Sequence, residues 1–203
     1  ENYNLLLELL TPVAKTYPAE MGILSCSTGL QILGGYGFCE EFPLEQLYRD
    51  IRIHPIHEGT TGIQGMDLLG RKMMMKKGKA AQLYLAEVRK AIKEGEAIAE
   101  LKPFAAKLTE AVALLEKVTA KQFEVAASQG PEMFLSDATL YLEFFGIIAI
   151  AWQWLRQATV ATKALAKNPG EADTNFYQGK LAANRYFFGY ELPKIQGLAE
   201  RLL

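Results

Sequence analysis

The chain has 203 residues, half of them apolar and 22% charged, with a formal net charge of -1. That balance belongs to a globular protein with a substantial buried core, and it leaves no electrostatic footprint for nucleic acid or an anionic membrane. Two cysteines, Cys26 and Cys39, give no disulfide framework and fit a reducing compartment, the cytoplasm. The longest apolar run, Phe144–Trp152, has nine residues, too few to span a bilayer, and reads as a buried core helix. Leu5-Leu6-Leu7 and Leu9-Leu10 read as a helix already under way, so the chain is expected to be a fragment of a longer one.

No stretch reads as strand, and an all-α protein of antiparallel helical bundles is expected. Residues 3–10 end one helix, and Pro12 and Pro18 each offer a restart, since proline suits the first helical turn. The helix from Pro18 carries Met21, Leu24, Leu30 and Leu33 on one face and stops at Gly34-Gly35. Pro43 opens a short helix, His54-Pro55 blocks another, and Gly59-Thr60-Thr61 caps a helix through Ile63, Met66, Leu69 and Met73 that breaks at Gly78. Met73-Met74-Met75 reads as core packing, not as a sulfur ligand patch.

Beyond residue 78 the pattern changes, which sets a boundary between segments 1–78 and 79–203. Ala81, Leu85, Val88 and Ile92 mark one helix; a second runs from Pro103 to Gly130 with Phe104, Leu108, Val112, Leu115, Val118 and Val125 inward. Ser136-Asp137 caps a third, apolar on all sides. A fourth starts near Asp173, carries Phe176, Tyr177, Phe187, Phe188 and Tyr190, and is kinked or restarted by Pro193.

The chemistry-bearing residues concentrate between Gln31 and Gln64, QILGGYGFCEEFPLEQLYRDIRIHPIHEGTTGIQ. Glu58 precedes Gly59, which lets backbone come close to a ligand, and a carboxylate enclosed by apolar groups makes a general base. The plain alternative is a helix-start carboxylate facing the dipole. Gln31 before Gly34-Gly35 is either a ligand-facing corner or a helix stop. Thr60 is an N-cap at a helix start suited to anions. Arg49-Asp50 reads as a structural ion pair. His54, His57 and Glu58 lack metal-site spacing, because Pro55 interrupts any helix between them.

The same stretch resembles the C-terminal signature of the acyl-CoA dehydrogenases, QxxGGxGf…E(Y/F)PxExxxRDxxIxxIxEGTxxIQ. The tail FYQGKLAANRYFFGYELP, with EGTTGIQGMDLLGRK, is similar to a subgroup with an additional C-terminal helical domain, the 3-methylmercaptopropionyl-CoA type. The resemblance implies a flavin-dependent enzyme of fatty acid metabolism that oxidises the α–β bond of an acyl-CoA thioester. Glu58 would take the α-proton while hydride passes to FAD, and its N–H would polarise the thioester carbonyl. Gln31, Gly35 and, in support, Gly34 would meet the FAD of a neighbouring subunit, and Thr60 the FAD phosphates. Gly62 stands where many members have a flavin-contacting Gln, and His57 replaces an aromatic residue. His57 and Gly59 would line the substrate site. Implied partners are electron-transfer flavoprotein and further copies of the chain, as a dimer or tetramer. An acyl-CoA oxidase and a non-catalytic helical association module stay open as alternatives. The family's N-terminal helical and middle β-domains are missing from the chain, so it is expected to be inactive by itself.

Overall fold

The computed structural model describes residues 1–203. Nine α-helices with short 3₁₀ and π turns account for its regular structure, and no strand occurs. They are α1 (Asn2–Leu33), α2 (Leu44–Ile51), α3 (Thr61–Gly70), α4 (Met75–Glu96), α5 (Lys102–Gln129), α6 (Pro131–Ser136), α7 (Ala138–Leu165), α8 (Glu171–Tyr186) and α9 (Ile195–Leu202). The expected all-α helical bundle is what the chain forms.

The prolines do not divide α1 as expected: one helix runs from Asn2 to Leu33 with Pro12 and Pro18 inside it. Proline costs a helix the bond to the carbonyl four residues back. At Pro12 that carbonyl belongs to Glu8, and the buried Lys72 ammonium donates to it instead. The Thr11 hydroxyl adds a bond to the Leu7 carbonyl at 2.8 Å. At Pro12 the lost main-chain bond is thus replaced by a side chain that the local pattern does not announce.

The helix expected to reach Gly78 ends earlier, at Gly70. A 3₁₀ turn, Lys72–Met74, follows, and then three left-handed residues, Lys76 (φ 50°), Lys77 (φ 59°) and Gly78 (φ 81°), before α4 becomes regular. Val88 and Ile92 of the expected α4 face are buried, with Ala91 beside them; in the first half of the helix burial falls instead on Ala80 and Tyr84, and Ala81 and Leu85 are half-buried. Tyr84 claims the centre because its ring packs on Phe145 and Trp152 of α7, at centroid distances of 4.8 and 5.6 Å.

The centre of the bundle is α7, long and apolar enough to cross a membrane yet mostly buried by its neighbours. It packs against α1, α3, α4, α5, α8 and α9. Close approach of α3 depends on Gly65, where a Cβ would lie 2.7 Å from the Ala138 carbonyl oxygen. In α5, Ala105, Leu108, Ala111, Val112, Leu115 and Val118 face inward, while Phe104 and Val125 are half-buried. Gln122 continues that face and donates to the Leu202 carbonyl at 2.8 Å, so a buried amide closes the last helix. Pro193 restarts the chain as expected: α8 passes into a π turn, Phe187–Glu191, and α9 begins at Ile195.

One apolar core joins both segments, from Leu5 and Leu9 through Leu68 and Leu69 to Leu202. It stops short of one feature. Beyond Ala19, α1 has no buried residue, and α2 has none at all. The two helices pack on each other through glycines: Gly22 faces Ile51, and Gly29 faces Leu44. This hairpin extends past the core and leaves Leu24, Ile32, Tyr36, Phe38, Leu47, Ile53 and Ile56 exposed.

Candidate active-site turn

One proline and a run of tight turns shape the segment between α2 and α3. After α2, residues 52–57 form successive turns closed by Ile56 N–H to Ile53 O at 2.9 Å and His57 N–H to Ile53 O at 3.1 Å. Pro55 is buried, and its carbonyl accepts from the N–H of Thr61, the first residue of α3, at 3.2 Å. That bond joins the two ends of the loop carrying His57, Glu58, Gly59 and Thr60.

Within this loop the backbone turns left-handed twice, at Glu58 (φ 52°) and Gly59 (φ 87°). Glycine adopts that conformation freely, and here space also demands it: a Cβ on Gly59 would lie 2.7 Å from Gln64 Nε2. Glu58 has no such freedom, and a left-handed non-glycine residue costs about 1–3 kcal/mol. Such strain persists only where the surroundings over-determine it. Here they do. Lys15, on the middle of α1, donates its ammonium to the carbonyls of His54 at 2.6 Å and Gly59 at 2.7 Å. The Gln64 amide donates to the Glu58 carbonyl at 3.4 Å. A hydrogen bond to a charged donor contributes about 1.5–3 kcal/mol, so two of them are enough to offset the strain at Glu58.

The result presents a specific set of groups outward. Glu58 and His57 are both exposed, so the enclosed carboxylate expected from sequence is not formed by this chain alone. The His57 ring meets His54 edge-on at 5.3 Å. The N–H groups of Glu58, Gly59 and Thr60 donate to no other group of the chain. Thr60 accepts from the Ile63 N–H at 3.3 Å, and its hydroxyl proton is free to donate. Unspent main-chain donors at the start of a ten-residue helix suit a phosphate or a polarised carbonyl. A Cβ added at Gly62, in the first turn of α3, would meet only the Thr60 hydroxyl oxygen, at 3.9 Å. No group of three or more His, Cys, Asp or Glu side chains is arranged to hold a metal ion.

Two further anchors hold α3. Thr61 Oγ1 bonds Glu20 of α1 at 2.6 Å. At the other end, Asp67 pairs with Arg71 and with Lys72. Partial burial pushes the Asp67 carboxyl upward; the Arg71 hydrogen bond and the charges of Lys72 and Arg71 outweigh it, leaving the carboxyl below its usual range.

The second group of expected site residues lies elsewhere. Gln31 is exposed on the last turn of α1, Gly34 ends the helix at φ 58°, and Gly35 follows with nothing within 4 Å of its Cβ position. Along α1, Gly34 is 19 residues beyond Lys15, roughly 28 Å at helical rise. The chain therefore does not bring Gln31, Gly34 and Gly35 to the Glu58 turn. The expected Arg49–Asp50 pair is also absent: Arg49 bonds Glu45 at 3.3 Å, one helical turn back, where the exposed faces align.

Sequence reasoning missed Lys15 and the role of Gln64. Lys15 is the only basic residue of α1, and that isolation was the available signal.

Similarity to known proteins fits these observations. Residues 84–203 match the family described as acetyl-CoA dehydrogenase C-terminal like, and residues 5–74 match the acyl-CoA dehydrogenase C-terminal domain. The chain is 36% identical to 3-methylmercaptopropionyl-CoA dehydrogenase of Ruegeria pomeroyi over 89% of its own length and 30% of that protein's. It is 30% identical to a broad-specificity linear acyl-CoA dehydrogenase of Mycobacterium tuberculosis, over 95% of this chain and 32% of that one. A shorter match, 42% identical over 32% of this chain and 17% of the relative, is to the CarC subunit of the caffeyl-CoA reductase-Etf complex of Acetobacterium woodii. The chain thus spans about a third of the length of the first two relatives. It belongs to the acyl-CoA dehydrogenase family and corresponds to that family's C-terminal helical part.

Proposed function

We propose that the chain is the C-terminal portion of an FAD-dependent acyl-CoA dehydrogenase, with Glu58 as the general base in α,β-dehydrogenation of an acyl-CoA thioester. The observation that carries this reading is the left-handed Glu58, held in strain by Lys15 with its carboxylate directed outward and the adjacent N–H groups unspent. A plain helix-start carboxylate needs none of that restraint.

In this reading the Glu58 carboxylate takes the α-proton, and the Glu58 N–H donates to the thioester carbonyl as charge builds on it. His57 and Gly59 border the acyl group. Thr60 and the free donors at the start of α3 hold phosphate oxygens, which is the fit this chain offers to FAD. The bound flavin supplies the acceptor for the β-hydride. Because Glu58 is exposed in this chain, the apolar enclosure that strengthens a base is supplied by the portion of the polypeptide outside residues 1–203.

The separation of the two residue groups supports an oligomer. One chain offers the Glu58 turn to its own cofactor and the Gln31, Gly34, Gly35 corner to a neighbour's, a division that the roughly 28 Å of intervening helix favours. The exposed apolar side chains of the α1–α2 hairpin give such a contact its area. We place the boundary between the core flavin-domain segment and the additional bundle near residue 78. Electron-transfer flavoprotein is the proposed acceptor, in keeping with the relative named as part of an Etf complex, and the cytoplasm the proposed location.

The test is anaerobic mixing of the complete, FAD-loaded polypeptide with a series of acyl-CoA thioesters. Loss of the oxidised flavin absorbance with appearance of the enoyl-CoA is expected. No reaction with any thioester would overturn the assignment, and rapid peroxide formation in air would reassign it to an acyl-CoA oxidase.

A further inference from the structure

Lys15 stands out among the charged groups of the chain. It is the only basic residue of α1, it is half-buried, and it forms no ion pair with any carboxylate. A lysine that makes no ion pair ordinarily keeps its ammonium in water, where its entropy is greatest. Here both bonds go to main-chain carbonyls, His54 at 2.6 Å and Gly59 at 2.7 Å.

The choice of acceptors is informative. His54 and Gly59 bracket the residues that carry His57 and Glu58, and the Gly59 carbonyl follows the strained residue directly. Binding both carbonyls to one point on a long core helix sets the distance between the two sides of the loop. It also orients the peptide plane joining Gly59 to Thr60, whose N–H is one of the unspent donors. No other side chain bonds the loop from α1: Glu20 reaches α3 one residue later, at Thr61. The loop's own closures, His57 to Ile53 and Thr61 to Pro55, each span one of the lysine's two attachment points.

We infer that Lys15 is a positioning residue for Glu58: its ammonium, through the carbonyls of His54 and Gly59, holds the carboxylate and the Glu58 N–H in their reactive places without touching substrate or cofactor. The inference rests on the reading of Glu58 as the base. The clamp itself does not, and the two are separable by experiment.

The first measurement is amide hydrogen exchange on the 203-residue chain with Lys15→Met, compared with the unaltered chain and with Lys15→Arg. Exchange at His57 and Thr61 should quicken tenfold or more in Lys15→Met while the amides of α7 stay as slow as before, and Lys15→Arg should restore most of the protection. Unchanged exchange at both amides would overturn the clamp. Acceleration spread through α7 would also overturn it, because the lysine would then serve the whole fold.

The second measurement is steady-state kinetics of the complete FAD-loaded enzyme. Lys15→Met should lower kcat about 10- to 100-fold, the scale of a misplacement near 1 Å, with KM changed less than threefold and the flavin spectrum retained. A kcat within twofold of the unaltered enzyme would overturn the positioning role. Full activity in Glu58→Gln would instead remove the base assignment and leave the exchange result standing.

Discussion

The ammonium of Lys72 donates to the main-chain carbonyl of Glu8, the one acceptor that Pro12 leaves without its helical partner. A buried lysine from the turn after α3 thus completes a helix more than sixty residues earlier in the chain, and Asp67, 3.4 Å away, balances its charge. The pairing explains how a proline sits inside α1 without breaking it.

Removing that donor should cost stability in proportion to the carbonyl it abandons. Lys72→Met is expected to lower the unfolding free energy by about 1–3 kcal/mol, the range for a lost hydrogen bond at a buried polar group. In a Pro12→Ala background the helix recovers its own N–H for Glu8, so the penalty should shrink. Urea unfolding of the four proteins in a double-mutant cycle measures the coupling, expected at about 0.5–3 kcal/mol; strict additivity would show the two residues to be unconnected.

Acid should weaken the same corner. The folded Asp67 carboxyl lies below its ordinary value, so its pairing stabilises the protein fully above the unfolded pKa of about 3.9 and is lost as pH falls through the lower folded value. The unaltered chain should therefore lose more stability between roughly pH 5 and pH 2 than Asp67→Asn does. At neutral pH Asp67→Asn should be less stable by about 1 kcal/mol, since Lys72 loses a counter-charge that is itself partly exposed. Thermal melts from neutral pH down to about pH 2 check both statements, and parallel curves would refute the first.

Helix crossing at Gly65 is a purely steric matter. The atoms nearest to an added methyl are main-chain atoms of Ala138 and Thr139, which have no rotamer to change. Gly65→Ala should destabilise by about 1–3 kcal/mol, as overpacking does, although alanine is the better helix former. Gly179→Ala, on α8 with nothing within 4 Å, should be neutral or stabilising. Chemical denaturation of both variants separates packing from propensity.

How far the sequence revealed the molecule depended on the range of the interactions. The inward face of α5, the buried character of α7 and the restart at Pro193 follow from periodicity and local backbone chemistry, and they were legible. The continuity of α1 was not, because Lys72 is distant in sequence from Pro12. On α4, Val88 and Ile92 follow the local pattern, whereas in its first half burial moves to Ala80 and Tyr84 because Tyr84 is drawn to Phe145 and Trp152, a contact between helices. At the candidate site, Glu58, Gly59 and Thr60 were visible as one turn, whereas Lys15 and its two carbonyls were hidden by about forty intervening positions. The exposure of Glu58 could not be read from its apolar neighbours, since Ile53, Ile56 and Ile63 are exposed with it.

Replacing Glu58 by glutamine in the complete FAD-loaded polypeptide tests the central claim most directly. The change keeps size and shape while removing the negative charge and with it the capacity to accept the α-proton. Turnover of the preferred acyl-CoA should fall by about 10²- to 10⁴-fold, the usual contribution of a general base, with the flavin absorbance and thioester binding retained. Activity within tenfold of the unaltered enzyme would contradict the account and move the base to another residue.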